Sequence, residues 1–118
     1  SLKNGDLVLY YRMQADYRAR DVVVLKGQIL RIVACPGDRV DIDADGLHIN
    51  GYLQQETNTR GTTLPYKNET KFPIQLKSDE YFLLGDNRDN AKDSRVFGIV
   101  NSSDIKGKVI MLLRRSDL

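Results

Sequence analysis

The sequence predicts a mainly β fold of short antiparallel strands with a long surface loop. Three observations carry that expectation. Short runs of β-branched, aromatic and aliphatic residues recur between Gly, Asp and Asn punctuation. Few windows show the 3.6-residue apolar spacing of an amphipathic helix. Residues 39–49 alternate strictly, with Val40 and Ile42 on one face and Leu47 and Ile49 returning to the apolar side. A chain of 118 residues, 41% hydrophobic and 29% charged, is bounded to one globular domain with a single core, here expected over residues 1–118.

In chain order, Leu7 to Tyr11, Val22 to Leu25 and Ile29 to Val33 are the first three strands, and together they are expected to form the sheet core. The last two are separated by Lys26-Gly27-Gln28, a natural hairpin spacer. A second hairpin follows, turning at Asp45-Gly46, where Asp-Gly supplies the positive φ angles of a tight turn. Asn50-Gly51 starts another turn. Residues 56–77 are polar and carry Gly61, Pro65 and Pro73, so they read as an excursion over the surface. Tyr81 to Leu84 is an apolar run ended by Gly85, and Lys108 to Leu113 makes a final strand after Gly107.

Composition removes several classes of function. Eighteen Lys and Arg against sixteen Asp and Glu leave a net charge of +2, spread along the chain apart from Arg114-Arg115, so no nucleic-acid partner is expected. Cys35 stands alone, and no His or Cys lies at metal-ligand spacing, so no disulfide, metal or cofactor is expected. No apolar run approaches the roughly 20 residues of a membrane span, and Ser1-Leu2-Lys3-Asn4 does not read as a signal peptide. The start at Ser1, directly before a strand pattern, is expected of a chain trimmed at its N-terminus, with a membrane anchor upstream. Asn68-Glu69-Thr70 and Asn101-Ser102-Ser103 match a glycosylation pattern that is common by chance.

The segment from Gly85 to Gly98 holds Asp86, Arg88, Asp89, Lys92, Asp93 and Arg95. Taken by itself it reads as a solvated charged loop, or as a turn salt-bridged internally through paired guanidinium and carboxylate groups. Its order is more specific. Gly85-Asp86-Asn87-Arg88, four residues, then Asp93-Ser94-Arg95 and Gly98, resembles the last signature box of the type I signal peptidase family. Arg31-Ile32-Val33-Ala34-Cys35-Pro36-Gly37-Asp38 is similar to that family's box of Lys-Arg, a few apolar residues and Pro-Gly-Asp. Asn4-Gly5-Asp6, the Ala19-Arg20-Asp21 run, where the family usually has Arg-Gly-Asp, and Gly46 to Gly51 extend the likeness, leaving only 56–77 without counterpart. The resemblance implies an extracytoplasmic domain with the signal peptidase or LexA-like β-fold.

That family's mechanism uses a serine hydroxyl activated by a neutral lysine amine, which requires burial of the amine to lower its pKa from about 10.4 to about 7 or 8. By spacing, the serine lies upstream of this chain, and Ser1 matches a later residue of the nucleophile box. The lysine position is occupied by Leu30, and the serine that helps hold the amine in many members is replaced by Ala91. Arg31 is no substitute, because it stays protonated and points to the other strand face; Lys26 reaches that face only in an unusual register. His48 lies on the polar hairpin face, and Cys35 in an apolar run without a His partner, so a surface role and a packing role are expected. Catalytic residues are therefore not expected.

What the resemblance retains is a scaffold of Arg31, Pro36, Gly37, Asp38, Gly85, Asp86, Asn87, Arg88, Asp93, Ser94, Arg95 and Gly98. It implies that Arg31 pairs with Asp86 and that Asp93 pairs with Arg95 or Arg88. The expected function is a non-catalytic signal-peptidase-like protein on the outer face of a bacterial membrane. Its partner would be an extended peptide, a secreted protein or a pilus component, bound as an added strand, as in Gram-positive pilus assembly. The alternatives are an active signal peptidase with its serine upstream and a base from elsewhere, and a self-cleaving repressor-type protein of the same broad fold.

Overall fold

The computed structural model describes residues 7–12, 16–57, 59–67 and 69–114, with the backbone alone for 7–12 and 111–114. Ser1, Asn4, Gly5, Asp6, Asn68 and Arg115 lie outside the described residues. The strands are β1 (Leu7–Arg12), β2 (Val22–Leu25), β3 (Gln28–Ala34), β4 (Arg39–Asp43), β5 (Gly46–Ile49), β6 (Tyr52–Leu53), β7 (Ile74–Gln75), β8 (Glu80–Leu84), β9 (Val100–Asn101) and β10 (Gly107–Arg114), with one helical turn, α1 (Ser94–Phe97). They form a six-stranded sheet in the order β1-β10-β2-β3-β8-β9 and a four-stranded sheet in the order β6-β5-β4-β7. Every strand pair within them is antiparallel.

The expectation that the first three strands form the sheet core needs correcting. β10 inserts between β1 and β2, and β8 is buried on both faces. Tyr81 and Leu83 face a core of Tyr17, Val23, Leu25, Leu30, Ile32, Val100 and Ile105. Phe82 and Leu84 face a second core of Ala34, Val40, Ile42, Leu47 and Leu76. An uninterrupted apolar run is what a strand covered on both sides demands, each such side chain contributing about 1.5–3 kcal/mol on burial. β3 serves both cores by a β-bulge at Val33: Ile32 pairs with Leu83 and Ala34 with Phe82, and the extra residue turns Ala34 toward the second core.

The hairpins form where expected, and only the middle turn is shifted by a residue. Leu25 pairs with Gln28, so the first turn is Lys26-Gly27 alone, with φ of 49° and 76°. Asn50-Gly51, at 54° and 86°, makes the same doubly positive turn before β6. The middle hairpin turns at Ala44-Asp45, not Asp45-Gly46, because Asp43 pairs with Gly46. Its turn is fixed instead by the Asp43 carboxylate, which accepts the Asp45 N–H at 2.9 Å.

Residues 56–77 are less of a surface excursion than their composition predicts. Ile74 and Gln75 add a strand to β4, Phe72 packs edge-on against buried Phe82 at 5.7 Å, and Arg60 makes a parallel bridge with Asn87. The loop is strapped across the segment that begins at Gly85.

Candidate functional site

Gly85 ends β8, and the chain then folds back on itself through α1 to form one buried polar knot. Asp93 caps α1, its Oδ1 accepting the N–H of Arg95 at 3.0 Å. The same carboxylate takes Nε of Arg95 at 3.0 Å, Nη2 at 2.9 Å and the Gly85 N–H at 3.0 Å. Nη1 of Arg95 donates to the carbonyls of Arg88 (2.8 Å) and Leu64 (3.1 Å), and the guanidinium lies 4.3 Å from the centre of the Tyr66 ring. Ser94 accepts the Leu83 N–H at 3.0 Å, tying α1 to β8. Gly98 closes the turn at φ 81°, its N–H bonded to the Ser94 carbonyl. Arg88, Asp93, Ser94 and Arg95 are all buried, which overturns the solvated-loop reading in favour of the internally paired one.

Arg88 donates Nε to the Gly85 carbonyl at 2.8 Å and Nη1 to Thr63 at 2.8 Å, and it forms an ion pair with Glu56. Asp93 thus pairs with Arg95, while Arg88 finds its carboxylate outside the segment. The Tyr66 hydroxyl donates to the Ala91 carbonyl at 2.6 Å, and burial raises the pKa of that phenol. Thr70 donates to the Ser94 carbonyl at 2.9 Å. Glu56, Thr63, Tyr66 and Thr70 were not singled out by the sequence. With Asp86 and Asp93 committed to Arg31 and Arg95, a buried Arg88 calls for an acid from a neighbouring loop, and residues 56–77 offer both Glu56 and Glu69.

Arg31 binds Asp86 through two bonds of 2.9 Å, which raise its pKa, and donates Nη1 to the Arg20 carbonyl. Pro36, Gly37 and Asp38 form the turn joining the two sheets, away from the knot. Gly37 takes φ 91°, Asp38 accepts the Cys35 N–H at 2.9 Å, and Asn50 donates to Asp38 at 3.0 Å. Cys35 packs partly buried against the first core, and burial, then Asp38, raises its thiol pKa. His48 bonds Asp43 at 3.0 Å on the outer hairpin face. Asn87 is exposed, Asn101 caps the short turn at 102–104, and Lys26 sits exposed in a regular turn.

Two further positions meet at Gly85. Arg31 pairs with Leu84, so Leu30 stands across from Gly85 on the face of the first core. A Cβ added at Gly85 would overlap the Ala91 Cβ and lie 3.7 Å from Leu30 Cδ2. The glycine leaves room for residue 91 to approach β3, and what approaches is a methyl group beside an isobutyl group. Leu30 is 4% exposed. Neither side chain can accept or donate a proton.

Residues 1–113 match the profile of the family described as signal peptidase, peptidase S26. The chain belongs to this family. It is 31% identical over 111 positions to signal peptidase I P of Bacillus subtilis subsp. natto, covering 83% of this chain and 60% of that protein. Signal peptidase I of Bacillus amyloliquefaciens is 34% identical over 107 positions (79% and 56%), and signal peptidase IB of Staphylococcus aureus 30% over 123 aligned positions (92% and 59%). The chain thus spans a little under two thirds of the length of these relatives. The crystal structure of a signal peptidase I from Enterococcus faecalis V583 superposes with a TM-score of 0.62 at 24% identity, covering 85% of this chain and all of that one, which shows the shared mainly β fold. Among the described residues no helix is long and apolar enough to cross a membrane, and no three His, Cys, Asp or Glu side chains are grouped to hold a metal ion.

Proposed function

We propose that this chain is a non-catalytic member of the signal peptidase family, held at the outer face of a membrane. It binds an extended peptide from a secreted or pilus component, as an accessory factor in surface-protein assembly. The observation that carries the reading is the hydrocarbon contact at Gly85. Where the family resemblance calls for a lysine amine and a serine hydroxyl, Leu30 and Ala91 meet over a residue that has no side chain. The base of such a pair is the amine, which neither Leu30 nor Ala91 can supply.

The surroundings are retained while the base is lost, which favours binding over turnover. β8 ends opposite Arg31, so Gln28 and Ile29 of β3 have no strand beside them on that side among the described residues. An extended peptide fits such an edge by main-chain hydrogen bonds alone, which require no catalytic pair.

A second reading, an active signal peptidase with its serine outside this chain and a base from elsewhere, is favoured by the names of the relatives. Cleavage of a signal-peptide substrate by the full-length protein separates the two. The binding reading expects no turnover, with peptide bound and recovered intact, and the loss of a base from such a unit costs on the order of 10⁴ to 10⁶ in rate. Wild-type turnover at an ordinary enzyme rate overturns it.

A further inference from the structure

We propose that the cleft on the face of β3 opposite Leu30 is a second binding site, for the carboxylate of an extended peptide segment. The cleft, of about 480 Å³, lies between β3 and the stretch following β6. By strand alternation its floor carries Arg31 and Val33, while Leu30 faces the first core. It is therefore separate from the Gly85 contact, and the proposal does not rest on the function proposed above.

Charge defines the ligand. Three guanidinium groups line the cleft, but two are already matched, Arg31 by Asp86 and Arg88 by Glu56. Arg20 has no acidic partner among the described residues, and it is exposed. Its backbone takes φ 76°, a conformation uncommon for a side-chain-bearing residue. The conformation is held from both sides: the Arg20 N–H donates to the Ile32 carbonyl at 2.8 Å, and its own carbonyl accepts from Arg31 at 2.9 Å. The Arg31–Asp86 pair thus anchors the turn that offers Arg20 to the cleft.

Shape defines the ligand as a chain. Beside Val33, the exposed Leu53 supplies apolar surface. Past Leu53, the Gln54 N–H still pairs with Leu47 at 2.8 Å. Gln55 and Thr57 then line the cleft, and no main-chain hydrogen bond ties either of them to another described residue. A lining stretch without main-chain pairing at Gln55 and Thr57, two apolar contacts and one cation suit a strand-like segment with apolar side chains flanking an acidic one.

The test uses the ¹⁵N-labelled chain and an acetylated, amidated peptide Val-Glu-Val-Ala. The controls are its Gln counterpart, the Gln peptide with a free carboxyl terminus, and phosphatidylglycerol vesicles. Amide shifts are expected at Arg20, Val33 and residues 53–57. The Glu peptide should bind about fivefold more tightly than the Gln peptide, the ratio set by one charge pair near the surface. A gain for the free-terminus peptide assigns the carboxylate to a chain end, and its absence assigns it to a side chain; both are consistent with the site. Arg20→Gly keeps the left-handed turn without strain and should abolish the preference for Glu while leaving the Gln peptide unaffected. Arg20→Glu should reverse it. Equal binding of the Glu and Gln peptides overturns the proposal, as does a preference that survives Arg20→Gly, shifts confined to Leu30 and Ala91, or binding to the vesicles alone. Shifts at Gln28 and Ile29 would instead support the edge-binding reading.

Discussion

Replacing Leu30 by lysine restores the residue type of the family at this position and tests whether the site still accommodates it. Leu30 is 4% exposed and packed with Val23, Leu25, Ile32, Tyr81 and Leu83, and the nearest neighbour across Gly85 is the Ala91 methyl. An amine placed there enters an apolar core with no carboxylate in it, so it is expected to fold neutral. Deprotonating a lysine of ordinary pKa, about 10.4, at pH 7 costs about 4.6 kcal/mol. The folded pKa is then depressed below the unfolded one, so the unfolded chain binds more protons, and stability rises with pH between the two values. Urea unfolding of Leu30→Lys is therefore expected to show a deficit of several kcal/mol near neutrality, relative to Leu30→Met, that shrinks as pH approaches 10. Adding Ala91→Ser should recover about 1 kcal/mol by giving the amine one acceptor. A Leu30→Lys protein within about 1 kcal/mol of Leu30→Met at neutral pH, with no difference in pH slope, would refute the reasoning. It would mean that this pocket still hosts a charged amine.

Two other outcomes follow from the polar groups. Asp93→Asn leaves the fully buried Arg95 without its carboxylate and is expected to cost about 3–5 kcal/mol in denaturant unfolding, as for other broken buried pairs. Asp43 is held below the usual carboxylate range, first by the Asp45 N–H and then by His48. Its stabilisation is present above the unfolded pKa and is lost as pH falls through the folded one. His48→Ala should raise the Asp43 pKa part of the way toward normal in a carbon-detected NMR titration, with the Asp45 bond keeping the remainder.

The local strands were legible because alternation and turn residues act within a few positions. Val40, Ile42, Leu47 and Ile49 declare one hairpin face, and Asn50-Gly51 turns where its φ angles allow. Strand order was not legible, since nothing local in Gly107 to Arg114 reveals that it separates β1 from β2. The shifted turn at Ala44-Asp45 escaped because an Asp side chain two residues upstream substitutes for the Asp-Gly geometry. In the site, Asp86 and Asp93 were recognisable through the residues around them. The strap from Glu56 to Thr70 was not, because its contacts are single polar bonds from a stretch without periodicity. Polar composition marked that stretch as exposed, whereas Thr63 is buried by accepting from Arg88 and donating to Glu56.

The pairing of β1 with β10 joins Leu7 to Arg114, nearly the full span of the described chain. Strands so distant in sequence pair only after a large loop has closed, and folds dominated by such contacts assemble slowly. Until β10 is available, β1 has no partner among the described strands, and both of its edges are open to another chain. The chain is therefore most exposed to aggregation before β10 docks, and truncating β10 should lower the yield of folded protein.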